Sequence, residues 1–358
     1  MMNITLPPLS LYIHYPWCVK KCPYCDFNSH EGNNRDGYIT ALLNDLDQEL
    51  SYVQNRTIHS IFIGGGTPSL MSEEDLSKLF EGLRLRLNFD ENIEITLETN
   101  PGTFEIEKFK AFKQIGINRL SIGVQSFNDQ NLKTLGRIHS AEEALNACIQ
   151  AGNIFDNFNI DLMYGLQAQT TDECLSDLQQ ALDLNPTHIS FYQLTIEPNT
   201  LFAKFPPLLP KEDEIFSMGK AGVNLLEQHG FSRYEVSAFG KIPSKHNINY
   251  WEFGDYIGIG AGAHGKITLA QEQKIIRTLK SKAPKDYIEN CKKTTEVIEN
   301  TTFEFMLNAL RLKQGFDESL FSSRTGKPLS LIHDKLDKAK DLELLKQCGS
   351  KLIPTQKG

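Results

Sequence analysis

Short, almost unbroken apolar runs recur along the chain. They lie at residues 9–14 (LSLYIH), 58–63 (IHSIFI), 93–98 (IEITLE), 117–124 (INRLSIGV), 157–163 (NFNIDLM) and 187–195 (THISFYQLT), with a weaker one at 231–236 (FSRYEV). Runs this short, rich in Ile, Leu and Phe, predict strands buried on both faces, as in a parallel sheet. Between them, apolar residues recur at helical spacing at about 36–55, 72–87, 105–115, 141–151, 171–184 and 211–229. A strand followed by a helix, repeated along the chain, predicts right-handed βαβ units. Six of them make an α/β fold, a partial (β/α)6 TIM-like barrel. Such a fold puts functional side chains at the C-terminal ends of its strands.

From about residue 270 the pattern turns mostly helical. Residues 301–312 (TTFEFMLNALRL) are amphipathic with the look of a capping box, 335–347 read as a second helix, and 352–354 as a short strand. The expected division is a barrel over 1–265 and a small C-terminal domain over 266–358. The net charge of −8 is unevenly spread. The region before residue 266 is acidic and the rest is basic, which argues against nucleic acid or an anionic membrane as the main partner. The basic region fits either a solvated helical surface or a dock for an acidic protein. No stretch approaches the ~18 apolar residues of a transmembrane helix. Residues 1–10 lack the basic and apolar regions of a signal peptide. With an odd number of cysteines, seven, the expectation is a reduced, cytoplasmic protein.

Three of those cysteines, Cys18, Cys22 and Cys25, share one stretch, and the next is Cys148. The C-x3-C-x2-C spacing puts three thiolates on one loop, which Pro16 and Pro23 keep from closing into a helix. Three thiolates leave a [4Fe–4S] cube with one iron open to an outside ligand, and an open position is what chemistry requires. Two other readings share the spacing: thiols packed as small hydrophobes, or a zinc site completed by His14 or His30.

Polar and glycine motifs follow the strands. Gly64-Gly65-Gly66-Thr67-Pro68 ends the second run, where bare backbone allows a ligand close approach. Glu98 ends the third and Gln125 the fourth, with Gly136-Arg137 beyond, and Asp161 lies in the fifth. A guanidinium forks a carboxylate, and a carboxylate accepts from hydroxyl or ammonium groups. The set suits a zwitterionic amino acid and a ribose diol. Taken singly, each residue serves equally well as a strand-end cap or loop salt bridge.

Taken in order, the cysteine loop and these strand ends resemble the radical SAM superfamily. Within it they resemble the anaerobic coproporphyrinogen-III oxidase-like family, clearly from about Pro8 to Gly265 and more diffusely beyond. The resemblance implies a [4Fe–4S] cluster on Cys18, Cys22 and Cys25, with S-adenosyl-L-methionine (SAM) on the open iron. It implies SAM contacts from Tyr12 and Tyr24 beside the adenine and cluster, and from Gly65, Gly66 and Thr67 at the methionyl end. Glu98 and Gln125 join them, with Arg137 for the carboxylate and Asp161 for the ribose.

Two departures separate the chain from the oxidases. They carry a further cysteine two residues after the third cluster cysteine, where this chain has Phe27, and an N-terminal arm, where 17 residues precede Cys18. Both departures resemble the HemW subgroup, regarded as cytoplasmic heme chaperones. The partners so implied are heme and respiratory acceptor hemoproteins, with a flavodoxin or ferredoxin as possible reductant and passing contact with membrane proteins. The subgroup's His-Asn-x-x-Tyr-Trp motif reads His246-Asn247-Ile248-Asn249-Tyr250-Trp251 here, ahead of a glycine-rich stretch from Tyr256 to Gly265. Imidazole is a common axial ligand of heme, and Tyr and Trp offer flat apolar area, so His246, Tyr250 and Trp251 are heme candidates. Equally, His246 can hydrogen-bond the barrel wall while Trp251 packs in the core. His264, His188 and His139 are further candidate ligands. The alternative function is a radical SAM enzyme, coproporphyrinogen III dehydrogenase-like, acting through a 5′-deoxyadenosyl radical. The resemblance also implies a winged-helix-like C-terminal domain, from which the usual final helix is expected to be missing.

Overall fold

The computed structural model describes residues 3–32 and 35–358. The six apolar runs form strands Leu9–Tyr15, Ile58–Gly65, Phe89–Thr99, Arg119–Gln125, Phe158–Tyr164 and His188–Gln193. Each lies parallel to the next. Several helices between them begin at side-chain caps. Ser72, Ser140 and Thr170 each accept from the amide three residues on, and after Ser140 and Thr170 a glutamate returns the bond.

Successive side chains of a strand face opposite ways. Residues such as Leu11, Ile13, Ile63, Leu97, Ile122 and Ile160 pack beneath the helices in the main core. The opposite face is polar. Ser10 meets Ser60, Glu94 lies 4.0 Å from Arg119, and Asn159 joins Ser121 to His188. The barrel is thus lined by groups that hold one another through hydrogen bonds and charge.

The sheet extends beyond six strands. Asp255–Ile259 lies parallel to the first strand, and His264–Leu269, Lys274–Lys280 and Lys293–Val297 continue antiparallel from it. The result is an open twelve-stranded sheet. The division expected at 265/266 therefore falls inside a strand. Much of the region expected to be helical is a β-meander, because Gln273 adopts a left-handed turn (φ 50°) between two alternating strands. At the other edge the run at 231–236 is broken. Ser232–Arg233 and Ala238–Gly240 form a small antiparallel hairpin, with Glu235 accepting from the Ser237 N–H in the turn. A buried ion cluster fastens the meander to the first helix, Tyr38–Glu49. Lys280 reaches Asp45 and, at 2.7 Å, Glu49, while the Tyr287 hydroxyl donates to Asp45.

A second, smaller core gathers Phe305, Phe316, Phe321, Leu336 and Leu352 against Phe253 and Ile275. Helices Thr301–Ala309, Glu318–Thr325 and His333–Asp341 and a three-stranded sheet follow in winged-helix order. Asn300 caps the first of these helices. The helix expected over 335–347 stops at Asp341, where Glu343 turns the chain at φ 59° into strand Leu345–Cys348. Among the described residues no helix is long and apolar enough to cross a membrane.

Candidate functional site

The cysteine loop is held from several sides. Trp17–Cys18 pairs with His30–Glu31. The Thr67 N–H donates to Trp17 O (2.7 Å), the Phe202 N–H to Pro23 O (3.0 Å), and Asn28 Nδ2 to Ala261 O (2.9 Å) and Lys282 O (2.8 Å). No helix forms in the loop. Cys18, Cys22 and Cys25 are half-buried and unpaired, unlike the fully buried Cys148 and Cys174. Burial pushes the Cys18 and Cys25 thiols up.

The zinc reading fails on geometry. His14 spends Nδ1 on the Tyr12 hydroxyl (2.9 Å) and Nε2 on Asn28 O (2.9 Å), and His30 Nε2 faces Asn28 Oδ1 (3.2 Å). Among the described residues no three His, Cys, Asp or Glu converge as a single ion requires. Three half-buried thiols on one loop are a donor set that suits a cube with one iron left open.

The strand ends gather beside this loop. A Cβ on Gly66 would sit 2.5 Å from Trp17 O, and one on Gly136 2.7 Å from Pro23, so only glycine lets these segments close on the loop. The Gly65 N–H donates to Glu98 Oε2 (3.0 Å). Burial raises the Glu98 carboxyl to about 7 and raises Asp161 as well. Asp161 accepts from Asn159 Nδ2 (2.7 Å) and, at 3.4 Å, from the Ser121 hydroxyl. Arg137 donates to Gly123 O (2.6 Å), stands 3.4 Å from the Tyr24 hydroxyl and 3.6 Å from Cys22 Sγ, and leaves a buried Nε unpaired. Tyr12 stacks on Phe62 at 6.4 Å. Gln125 holds a left-handed backbone (φ 72°), a strained state for a side-chain-bearing residue, and accepts from the Tyr192 hydroxyl at 2.7 Å.

Tyr192 is missing from the sequence reading. Its hydroxyl, which burial pushes up, feels Asp161, Tyr24, Arg137 and Glu98. The available signal is its parity with His188 and Ser190, which puts it on the polar face.

The other candidates lie elsewhere. His246, Tyr250 and Trp251 share a short helix, Lys245–Trp251, laid across the N-terminal ends of the first strands. Glu94 accepts from Ser244 Oγ (2.9 Å) and from the amides of Lys245 (3.1 Å) and His246 (3.2 Å), and Asn249 donates to Ser10 Oγ (2.9 Å). His246 Nδ1 meets Ser60 Oγ at 3.1 Å, and the ring packs on Phe62 at 5.1 Å. Burial, with Arg119 nearby, lowers its pKa to about 3, so the ring is neutral. Tyr250 and Trp251 turn instead to Tyr256 and Arg311, whose guanidinium lies 4.4 Å over the indole. The run therefore does not present one imidazole and two aromatic faces to a common neighbour.

His188 and His139 have both ring nitrogens engaged, which leaves neither a lone pair for iron. His264 stays at the surface. Phe27 is 59% exposed.

The family model for the radical SAM superfamily matches residues 12–181, and that for the HemN C-terminal domain residues 299–358. The chain is 46% identical over 365 residues to the heme chaperone HemW of Escherichia coli (strain K12), covering 99% of this chain and 96% of that protein. It is 48% identical over 346 residues to the heme chaperone HemW of Haemophilus influenzae, covering 93% and 90%. Among solved structures it is similar in fold to the coproporphyrinogen III oxidase HemN of Escherichia coli, a radical SAM enzyme. The TM-score is 0.81 at 22% identity, over 99% of this chain and 88% of that one. The thiolate loop, the polar strand ends and the near full-length identity agree, and the chain belongs to the HemW family of the radical SAM superfamily.

Proposed function

We propose that the chain binds heme and hands it to acceptor hemoproteins, carrying a [4Fe–4S] cluster on Cys18, Cys22 and Cys25 and SAM beside it. The observation that carries this reading is the near full-length similarity to relatives named heme chaperones. When bound, such a cluster supplies an open iron and an electron. The chain's own groups take the rest of SAM. Arg137 suits the carboxylate, Glu98 the ammonium and Asp161 the ribose diol. Tyr12 and Tyr24 offer faces to the adenine. Gly65, Gly66 and Thr67 allow backbone approach, and Gln125 is fixed nearby by Tyr192.

For heme, a neutral His246 oriented through Nδ1 by Ser60 supports a ligand role. Nε2 has no hydrogen-bond partner among the described residues, and outer-shell tethering of this kind orients metal-binding imidazoles. Tyr250 and Trp251, turned toward Tyr256 and Arg311, stand apart from that imidazole. Phe27 occupies the position of the oxidases' further cysteine, which speaks against porphyrinogen decarboxylation. Seven unpaired cysteines suit a reducing compartment such as the cytoplasm, where a flavodoxin or ferredoxin could supply electrons.

The test is heme titration of the reconstituted protein beside a turnover assay with coproporphyrinogen III, SAM and reductant. Saturable heme binding without protoporphyrinogen IX is expected. Efficient decarboxylation would overturn the reading in favour of the enzyme.

A further inference from the structure

The polar wall of the barrel contains a chain of hydrogen bonds that ends on Asp161. Asn159 Nδ2 donates to Asp161 Oδ1 (2.7 Å) and also lies 2.9 Å from Ser121 Oγ. Asn159 Oδ1 faces His188 Nδ1 (2.6 Å) and accepts from Ser190 Oγ (3.1 Å). His188 Nε2 meets the Tyr234 hydroxyl at 2.9 Å, and Asn247 Nδ2 reaches that same hydroxyl at 3.3 Å. Asn159 and His188 are each 1% exposed and Tyr234 is 6%, so no solvent can substitute for a lost partner.

Chemistry fixes every direction along this chain. An ionised carboxylate only accepts, so the NH2 end of Asn159 must face Asp161 and the carbonyl end must face His188. His188 Nδ1 must then carry the ring's proton. Burial and the nearby Arg119 charge keep the imidazole neutral, which leaves Nε2 bare. The Tyr234 hydroxyl must donate to it, and its oxygen is free to accept from Asn247. If the Asn159 amide turned over, its carbonyl would oppose the carboxylate, and Asp161 would take up a proton or swing aside. Either change removes an acceptor.

We infer that His188 is a positioning residue for Asp161: its Nδ1–H, with Tyr234 donating to the ring's Nε2, keeps the Asn159 amide turned so that Asp161 presents a charged acceptor to a ribose diol. The inference rests on the reading of Asp161 as the ribose contact for SAM. Hydrogen bonds of this type, to a charged group, justify an effect of about tenfold in affinity.

The experiment uses the full, reconstituted chain and three probes: SAM, 5′-methylthioadenosine, which keeps the ribose, and methionine, which lacks it. His188→Leu should weaken SAM and 5′-methylthioadenosine by about tenfold, with methionine binding and iron content unchanged. His188→Gln should restore most of the affinity, because its amide can donate to Asn159 and accept from Tyr234. Tyr234→Phe, which removes a single oxygen, should weaken the two ribose ligands selectively and serves if His188→Leu does not fold. Equal losses for all three probes, or wild-type affinity for the ribose ligands in the folded variants, would overturn the role given to His188. Asp161→Ala runs alongside. If it too keeps wild-type affinity for the ribose ligands, the ribose reading of Asp161 has failed, and the relay's purpose with it.

Discussion

Glu98 accepts from one backbone amide and has no cationic side chain bonded to it among the described residues. Burial raises its carboxyl to about 7, above the unfolded value near 4.5. The folded state therefore holds the proton longer than the unfolded one. This group's contribution to stability is present below about pH 4.5 and is lost as pH rises through about 7. Thermal midpoints of the SAM-free protein should fall between about pH 5.5 and 8, and fall less in Glu98→Gln. An ammonium ligand reverses the sign, so SAM affinity should climb over the same window in wild type only. Parallel curves for the two proteins would remove the Glu98 charge from the account. At the cluster loop, wild type should take up about four irons per chain on anaerobic reconstitution, and Cys18→Ala, Cys22→Ala and Cys25→Ala each far less. A full iron complement in all three would contradict the assignment. His246→Ala should shift the Soret band of bound heme and lower affinity more than Tyr250→Phe, because it removes a metal ligand while phenylalanine keeps the ring face. An unchanged Soret band in His246→Ala would move the ligand to another side chain, His264 first.

At the scale of elements, legibility followed the source of stability. The outward faces of the six central strands announce themselves, since Leu and Ile at alternate positions can only be going under helices. Their polar partners are harder to read. Ser10, Ser60 and Thr96 look like breaks in apolar runs until the barrel turns them toward one another. Tyr192 reads as one more aromatic, and only the fold brings its hydroxyl to Gln125. Asp255–Ile259 hides in a glycine-rich stretch because its edge partner is the first strand of the chain, far away in sequence. Helix Lys245–Trp251 has seven residues, too few to stand alone, and exists because Glu94 gathers its first turn. Glu94→Ala should therefore cost roughly 3 kcal/mol in denaturant unfolding, the scale of buried donors losing a charged acceptor. It also strips Arg119 of its nearest carboxylate. A change below about 0.5 kcal/mol, the range of ordinary surface substitutions, would show that the helix is held by its other contacts.

At the scale of the molecule, the first strand lies in the middle of the sheet, between Ile58–Gly65 and Asp255–Ile259. The loop that follows it is tied through Asn28 to the carbonyls of Ala261 and Lys282. The thiols made first are thus fastened by residues made late. At translation rates of roughly 5–20 residues per second, some tens of seconds separate the emergence of Cys25 from that of Lys282. Throughout that interval the loop keeps its pairing with His30–Glu31 and its tie to Thr67, but lacks its outer struts at Asn28. A nascent chain stopped short of residue 282 would carry all three thiols and still miss the Lys282 strut. Its uptake of iron on reconstitution should therefore trail that of the full chain.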